Sequence, residues 1–503
     1  MGHGLWCIVE AVGINRKPGF ALIWWCTGFC LVIMLKEQML TGDSDLMVHI
    51  CYGREILDKG LFAPDPLLYE VPAAPIQHEW LFQVAMAELE KAAGASGLLL
   101  MAAVLVGTLW WLLFSRMRQK KVGTLYAMAY STVLIVAFKP HLVLRPHLFS
   151  WLAAPFLYAL LEDGYDGKRS TTKTAIYVSL TMLLWANVHG GFVLGIGLIV
   201  MFVLLEPIVR RQLKRLFQLG VISGAALGAT LINPWGIRLH GHIVSFLTND
   251  IIVRSTSDFR PPSLSDNTAT ALCVLAVLTW CPLIVRYRYV HLREWLMAAA
   301  LLGAALMSVR NIPYMGILML PIAARYKACF FESRRTRFSK RLNEISERWD
   351  AADSGGWGYA VLLLAVYIVL SSTGVVNVSF RGKTIPVVAL KWMTENVAVE
   401  KEAVFADFGF AGYLLYLTPV QKVYLHSLNA SVPEARLLTW LSIGRDESGW
   451  DKKISDYNWA FLRTGTPQSD AFLRSPSWRQ MHRDEMGVIF RREDGEPDCA
   501  GLE

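Results

Sequence analysis

The chain has 503 residues, of which 54% are hydrophobic and 18% charged, with a mean hydropathy of +0.37 and a formal net charge of +8. Soluble proteins average about 45–50% apolar and about 25% charged residues, so this composition argues against a purely soluble enzyme and excludes collagen, disordered chains and small disulfide scaffolds. Length alone would allow about three soluble domains, but many apolar runs approach the roughly 20 residues that cross a bilayer.

In chain order the sequence predicts about eleven spans, near 19–37, 95–114, 124–138, 147–161, 174–188, 191–209, 216–232, 268–285, 294–308, 312–325 and 357–376. The first is too long, and lacks the small-residue cleavage site, for a removed signal peptide, so it reads as an uncleaved anchor. Basic residues give the orientation, because Lys and Arg near span ends stay cytoplasmic. With the N-terminus inside, the inner turns carry Arg116, Arg118, Lys120 and Lys121, then Lys168, Arg169 and Lys173, then Arg210, Arg211, Lys214 and Arg215. Arg286, Arg288 and Arg293 follow, and a basic run extends from Arg325 to Arg348. The positive surplus is therefore a topology signal, and nucleic acid is not an expected partner.

The other side receives a first loop at 36–94, a loop at 233–267 and the tail 377–503. The expected fold is mainly α: a polytopic membrane helix bundle over 1–376, followed by a small extracytoplasmic α/β domain over 377–503. Short alternating segments at Ala403–Phe408 and Lys422–Leu425 supply its strands. In the first loop, Leu46, Ile50, Gly53 and Leu57 share one helical face. Trp80, Leu81, Val84 and Leu89 suggest a second amphipathic helix on the membrane surface. The 8 cysteines show neither a metal spacing nor a disulfide framework.

Polar groups at membrane depth are expensive, and they gather on the outer side. The first loop carries Asp43-Ser44-Asp45, His49, Arg54 and His78-Glu79-Trp80. Later outer turns carry Arg145-Pro146-His147, Trp185 through Gly191 with His189, Asn233-Pro234-Trp235-Gly236, Arg254, Asp258-Phe259-Arg260 and Arg310-Asn311-Ile312-Pro313. Such a one-sided set points to a polar cavity open to the outer face. Asp43 or Asp45 can cap a helix start, act as a base, or hold a divalent cation through paired oxygens. Glu79 can cap the second loop helix or face the cavity. His189 reads first as a satisfied structural histidine. Arg145, Arg254, Arg260 and Arg310 suit a phosphate or carboxylate, onto which a guanidinium forks.

These segments resemble those of a large set of bacterial multi-spanning proteins across nearly the whole chain. The likeness rests on Asp43-Ser44-Asp45, on His49 with Gly53-Arg54-Glu55-Ile56 and Gly60, on Pro64-Asp65, and on His78-Glu79-Trp80-Leu81. It continues through Arg145-Pro146-His147-Leu148-Phe149-Ser150, Trp185 to Phe192, Asn233-Pro234-Trp235-Gly236, Ser257-Asp258-Phe259 and Arg310-Asn311-Ile312-Pro313. The tail adds Phe405-Ala406-Asp407-Phe408-Gly409-Phe410-Ala411-Gly412-Tyr413-Leu414, and His426-Ser427-Leu428 stands where relatives often have Asp-Gly-Arg. The chain is thus similar to the GT-C superfamily of integral-membrane glycosyltransferases. That resemblance implies an inverting transfer of sugar from a polyprenyl-phosphate carrier to a glycan, lipid or protein acceptor. Asp43 is the favoured base, with Asp45 and then Glu79 and His78 behind it. Arg54, His78, Arg145, His189, Arg254, Arg260 and Arg310 would hold the substrate or its phosphate. The implied place is a bacterial inner membrane, with a cytoplasmic N-terminus and a periplasmic tail.

Two other readings compete. A transporter or flippase for lipid-linked substrates would also have many spans, but would show repeats and mid-membrane polar groups. A catalytically silent relative acting in envelope assembly would keep the architecture without the transfer.

Overall fold

Each apolar run predicted from the sequence contains a helix. A helix pairs its backbone amides within its own segment, which matters most where water is excluded. The computed structural model describes residues 19–71, 73–204, 213–326, 336–353, 358–374, 376, 378–380, 385–397, 402–419, 421–428 and 431–493. Arg210, Arg211, Arg334 and Arg335 of the basic turns lie outside them. The chain is mainly helical, with a small sheet near its C-terminal end.

Three helices have the predicted bounds, at Thr124–Phe138, Thr268–Val285 and Ile312–Arg325. Among the described residues two helices are long and apolar enough to cross a membrane: Trp80–Gln119, with a peak mean hydropathy of 2.2, and Thr268–Val285, with 2.1. Others are shorter than the expected spans. Phe20–Met34 has 15 residues, which at about 1.5 Å per residue falls short of a hydrocarbon layer about 30 Å thick.

The described residues fall into two compact units. One takes those within Met1–Lys36, Leu99–Arg238 and Thr256–Val378; the other takes those within Glu37–Leu98, Leu239–Ser255 and Ser379–Glu503. The first loop, assigned to the transmembrane module on sequence, thus groups by its contacts with the tail.

The first unit is a helical bundle around Ile312–Arg325, which is buried along almost its whole length. It packs against Thr124–Phe138, His147–Tyr165, Thr268–Val285 and Leu292–Met307. Gly316 permits the approach, because a Cβ there would lie 2.6 Å from a methyl of Leu134. A separate close pair forms where Gly28 meets Gly107.

The second unit is built on a sheet of β1 (Val404–Ala406), β2 (Trp459–Arg463), β3 (Trp478–Arg483) and β4 (Gly487–Arg492), in the order β1-β2-β4-β3. β1 runs parallel to β2, with Phe405 opposite Ala460, and the other pairs are antiparallel. The first loop joins this sheet. Tyr69 N–H donates to the Val423 carbonyl at 3.1 Å, Val423 N–H donates to Leu67 at 2.9 Å, and Val423 bridges on to Val404. Helix Asp45–Lys59 forms as expected, but it is buried on every face from Asp45 to Gly53, while Leu57 is exposed. Gly53 lets it meet the start of Trp80–Gln119, since a Cβ there would lie 2.0 Å from the Gln83 carbonyl oxygen. That contact buries Phe82, Gln83, Met86 and Ala87 and leaves the predicted stripe of Trp80, Leu81, Val84 and Leu89 half-exposed. Gly94, at φ 59°, breaks the helix between its polar start and its apolar run.

Candidate functional site

In the second unit the acidic turn is clamped from below. Asp43 Oδ1 accepts the Asp45 N–H at 2.9 Å, so Asp43 does cap work at the start of Asp45–Lys59. Tyr413 donates to the carbonyls of Thr41 and Asp43, at 3.1 and 3.0 Å. Ser44 donates to the Phe408 carbonyl at 3.2 Å. Gly412 lies so close that a Cβ would stand 2.3 Å from the Ser44 carbonyl oxygen. Helix Phe408–Leu417 of the tail therefore holds the turn in place. Asp45 is buried and Asp43 half-buried.

Glu79 sits just before the second loop helix, between two histidines: Oε2 is 3.8 Å from His49 Nε2, and Oε1 is 3.7 Å from His78 Nε2. The His78 ring lies 5.5 Å from that of His242, and burial lowers the pKa of His242. Sequence reasoning missed His242, because only the fold brings helix Ile237–Thr248 to this cluster. Among the described residues no group of three or more His, Cys, Asp or Glu is arranged to hold a metal ion.

Arg54, expected to bind phosphate, donates to Glu90 at 2.7 Å and lies 4.8 Å above the Tyr416 ring. Tyr416 donates to the other Glu90 oxygen at 2.8 Å. This arrangement is a structural tie between three helices.

A buried network here joins Asp65 and His426, both among the residues that carry the resemblance, to Tyr52, which no motif singled out. Tyr52 donates to Asp65 Oδ2 at 2.9 Å, and its oxygen lies 2.9 Å from His426 Nε2. The one phenol proton goes to Asp65, whose other oxygen takes the N–H groups of Leu67 and Leu68. His426 must then donate through Nε2. Burial pushes the His426 pKa down to about 4, against an upward pull from Asp65. Burial, reinforced by Asp65, raises that of Tyr52 well above its ordinary value.

In the first unit the polar residues collect where several helices start or end. Arg145 pairs with Asp258 at 3.2 Å. Arg310 lies 3.3 Å from His189 Nε2 and 5.4 Å above the Phe259 ring. His189 Nδ1 lies 2.6 Å from Ser150 Oγ and 3.0 Å from the Gly191 amide, and Trp185 donates to the same hydroxyl at 2.6 Å. The second glycine of His189-Gly190-Gly191 has a steric reason: a Cβ on Gly191 would stand 2.5 Å from Ser150 Oγ. Asn233 folds the Asn-Pro-Trp-Gly turn by accepting the Trp235 N–H at 2.8 Å.

Burial alone would raise the Asp258 pKa, but Arg145 and then Arg310 outweigh it and hold the carboxyl below its usual range. His141 is pushed down by burial, with Arg310 and Arg145 adding to the push. Among the described residues, two guanidiniums, Arg145 and Arg310, thus act on the one carboxylate of Asp258. Arg260 is instead engaged by Asp266 in an exposed loop. The side chain of Arg254 lies outside the described residues.

Comparison with protein-family models and with curated proteins found no match for this sequence.

Proposed function

We propose that this chain is a polytopic membrane glycosyltransferase of the GT-C kind, which moves a sugar from a polyprenyl-phosphate carrier to an extracytoplasmic acceptor. The observation that carries the reading is the Arg145–Asp258 and Arg310–His189 cluster, in which two guanidiniums act on one carboxylate among the described residues. Such a group suits the phosphate that leaves when the glycosidic bond breaks. Membrane embedding draws support from the two long apolar helices. It also draws on exposed Ile176, Leu180, Val274, Val277, Val361 and Val369, since soluble proteins rarely leave so much helical apolar surface in water.

In the reaction, an acceptor hydroxyl attacks the anomeric carbon, and the bond from that carbon to the phosphate oxygen breaks. The electron pair leaves on the phosphate, and the proton passes to a carboxylate. Asp43 is assigned that proton, with Asp45 and Glu79 as alternates. The test is incubation of the purified chain with a panel of polyprenyl-phosphate hexoses and pentoses and with envelope acceptors, followed by mass spectrometry. Release of polyprenyl phosphate with a glycosylated acceptor is expected. No turnover and no retained carrier across the panel would overturn the reading.

A second reading, the silent relative, rests on one observation: an Asp43 oxygen already caps a helix. Carrier retention without turnover would favour it.

A further inference from the structure

We infer that His189 is a hydrogen-bond donor through Nε2, and that with Arg310 it holds one phosphate oxygen of the carrier, while Gly191 and Ser150 fix the ring for that task. The two ring nitrogens meet different neighbours. The Gly191 amide donates to Nδ1 at 3.0 Å, and among the described residues it has no other acceptor. A backbone amide needs an acceptor and cannot swing aside as a side chain can. Ser150 Oγ, which accepts the Trp185 N–H at 2.6 Å, lies 2.6 Å from the same nitrogen and can donate to it. Nδ1 therefore keeps its lone pair, and the proton of the neutral ring sits on Nε2.

Arg310 stands on the Nε2 side, with its guanidinium 3.3 Å away. A guanidinium has donors and no acceptor, so two N–H groups face each other across this contact. An acceptor oxygen beside the pair would take both at once. A separate observation gives that oxygen its charge. Among the described residues Arg310 has no carboxylate partner: its other close contact is the Phe259 ring, 5.4 Å away. Asp258 is within electrostatic reach, but its carboxylate is engaged by Arg145 at 3.2 Å. A half-buried cation that lacks a counter-ion has lost part of its hydration, and an oxyanion would offset that loss. The donor pairing asks only for an oxyanion; that the oxyanion belongs to the carrier rests on the transfer reading proposed above.

The test is native mass spectrometry of the purified full chain in detergent, titrated with undecaprenyl phosphate and with undecaprenol. The phosphate form should be retained about tenfold more tightly than the alcohol. His189→Asn leaves an oxygen where Nδ1 stands, so Gly191 keeps its acceptor, but nothing then reaches the Nε2 position. It should melt near the wild type and lose about tenfold in retention of the phosphate form. His189→Gln carries an amide N–H to the Nε2 position and should recover most of that loss. Undecaprenol retention should not move in either variant. A histidine that serves only to accept the Gly191 amide would give the reverse order, with Asn tolerated and Gln not. That order, equal losses in both variants, or wild-type retention in His189→Asn would overturn the donor role. Full displacement by millimolar inorganic phosphate would assign the pair to a soluble anion and overturn the carrier as its ligand. A phosphate preference that depends on His189, in a chain that transfers no sugar, would keep this inference while removing the transferase reading.

Discussion

Tyr52 and His426 stand 374 positions apart in sequence, yet the phenol oxygen of one lies 2.9 Å from the ring nitrogen of the other in a fully buried contact. The first loop and the tail are joined at this point by a polar bond as well as by the strand-like pairing of Tyr69 with Val423. Replacing Tyr52 by Phe would leave buried Asp65 short of a donor, which costs about 1–3 kcal/mol. That loss should appear as a lower melting temperature.

The same contact makes stability depend on pH. His426 takes a proton near pH 6.5 when unfolded, but resists until about pH 4 when folded, because burial disfavours its charged form. As pH falls through that window the unfolded chain gains the proton first, so stability is present above about 6.5 and lost towards 4. The full effect is worth roughly 3 kcal/mol. Thermal melts between pH 7.5 and 4.5 should fall more steeply for wild type than for His426→Gln. Parallel curves would show that His426 is not the group responsible.

Gly412→Ala is expected to disturb the acidic turn without touching either carboxylate. Its Cβ would meet the Ser44 carbonyl oxygen at 2.3 Å, and backbone cannot swing aside as a side chain can. Overpacking of this kind costs about 1–3 kcal/mol. The variant should melt earlier and lose transfer in the same assay that scores Asp43 variants; wild-type behaviour in both would show that helix Phe408–Leu417 does not hold the turn.

Asp43→Asn should keep the cap, because the amide oxygen can still accept the Asp45 N–H. Turnover should nonetheless fall by about 10²–10⁴ if Asp43 takes the acceptor proton, with carrier binding nearly unchanged. Asp45→Asn is the control. Wild-type turnover in both variants would leave this segment as a helix start alone.

Arg310→Lys retains a charge but loses the planar fork that meets His189 and covers Phe259. Weaker retention of polyprenyl phosphate is expected, by about tenfold. The expected loss should be smaller for Arg260→Lys, because Arg260 is occupied by Asp266. Equal effects at the two positions would remove the phosphate role from Arg310.

The sequence by itself determined where helices form. Thr268–Val285 and Ile312–Arg325 are unbroken apolar runs, and their tendency to fold as helices is a property of neighbours along the chain. It also marked Ala403–Phe408 as a strand, of which Val404–Ala406 forms β1, and it flagged Arg145, His189 and Arg310, which the helical unit gathers near Asp258 and Ser150. Only the tertiary structure decided the rest. Whether Trp80 or Phe82 faces inward depends on the opening that Gly53 leaves for the Gln83 carbonyl. That Arg54 belongs to Glu90, and Tyr52 to Asp65 and His426, follows from which helix ends and loops meet. A residue's apolarity and local period are fixed by its neighbours in sequence. The partner of a buried charge or hydroxyl is fixed by distant backbone brought within hydrogen-bond reach, and no local pattern records that choice.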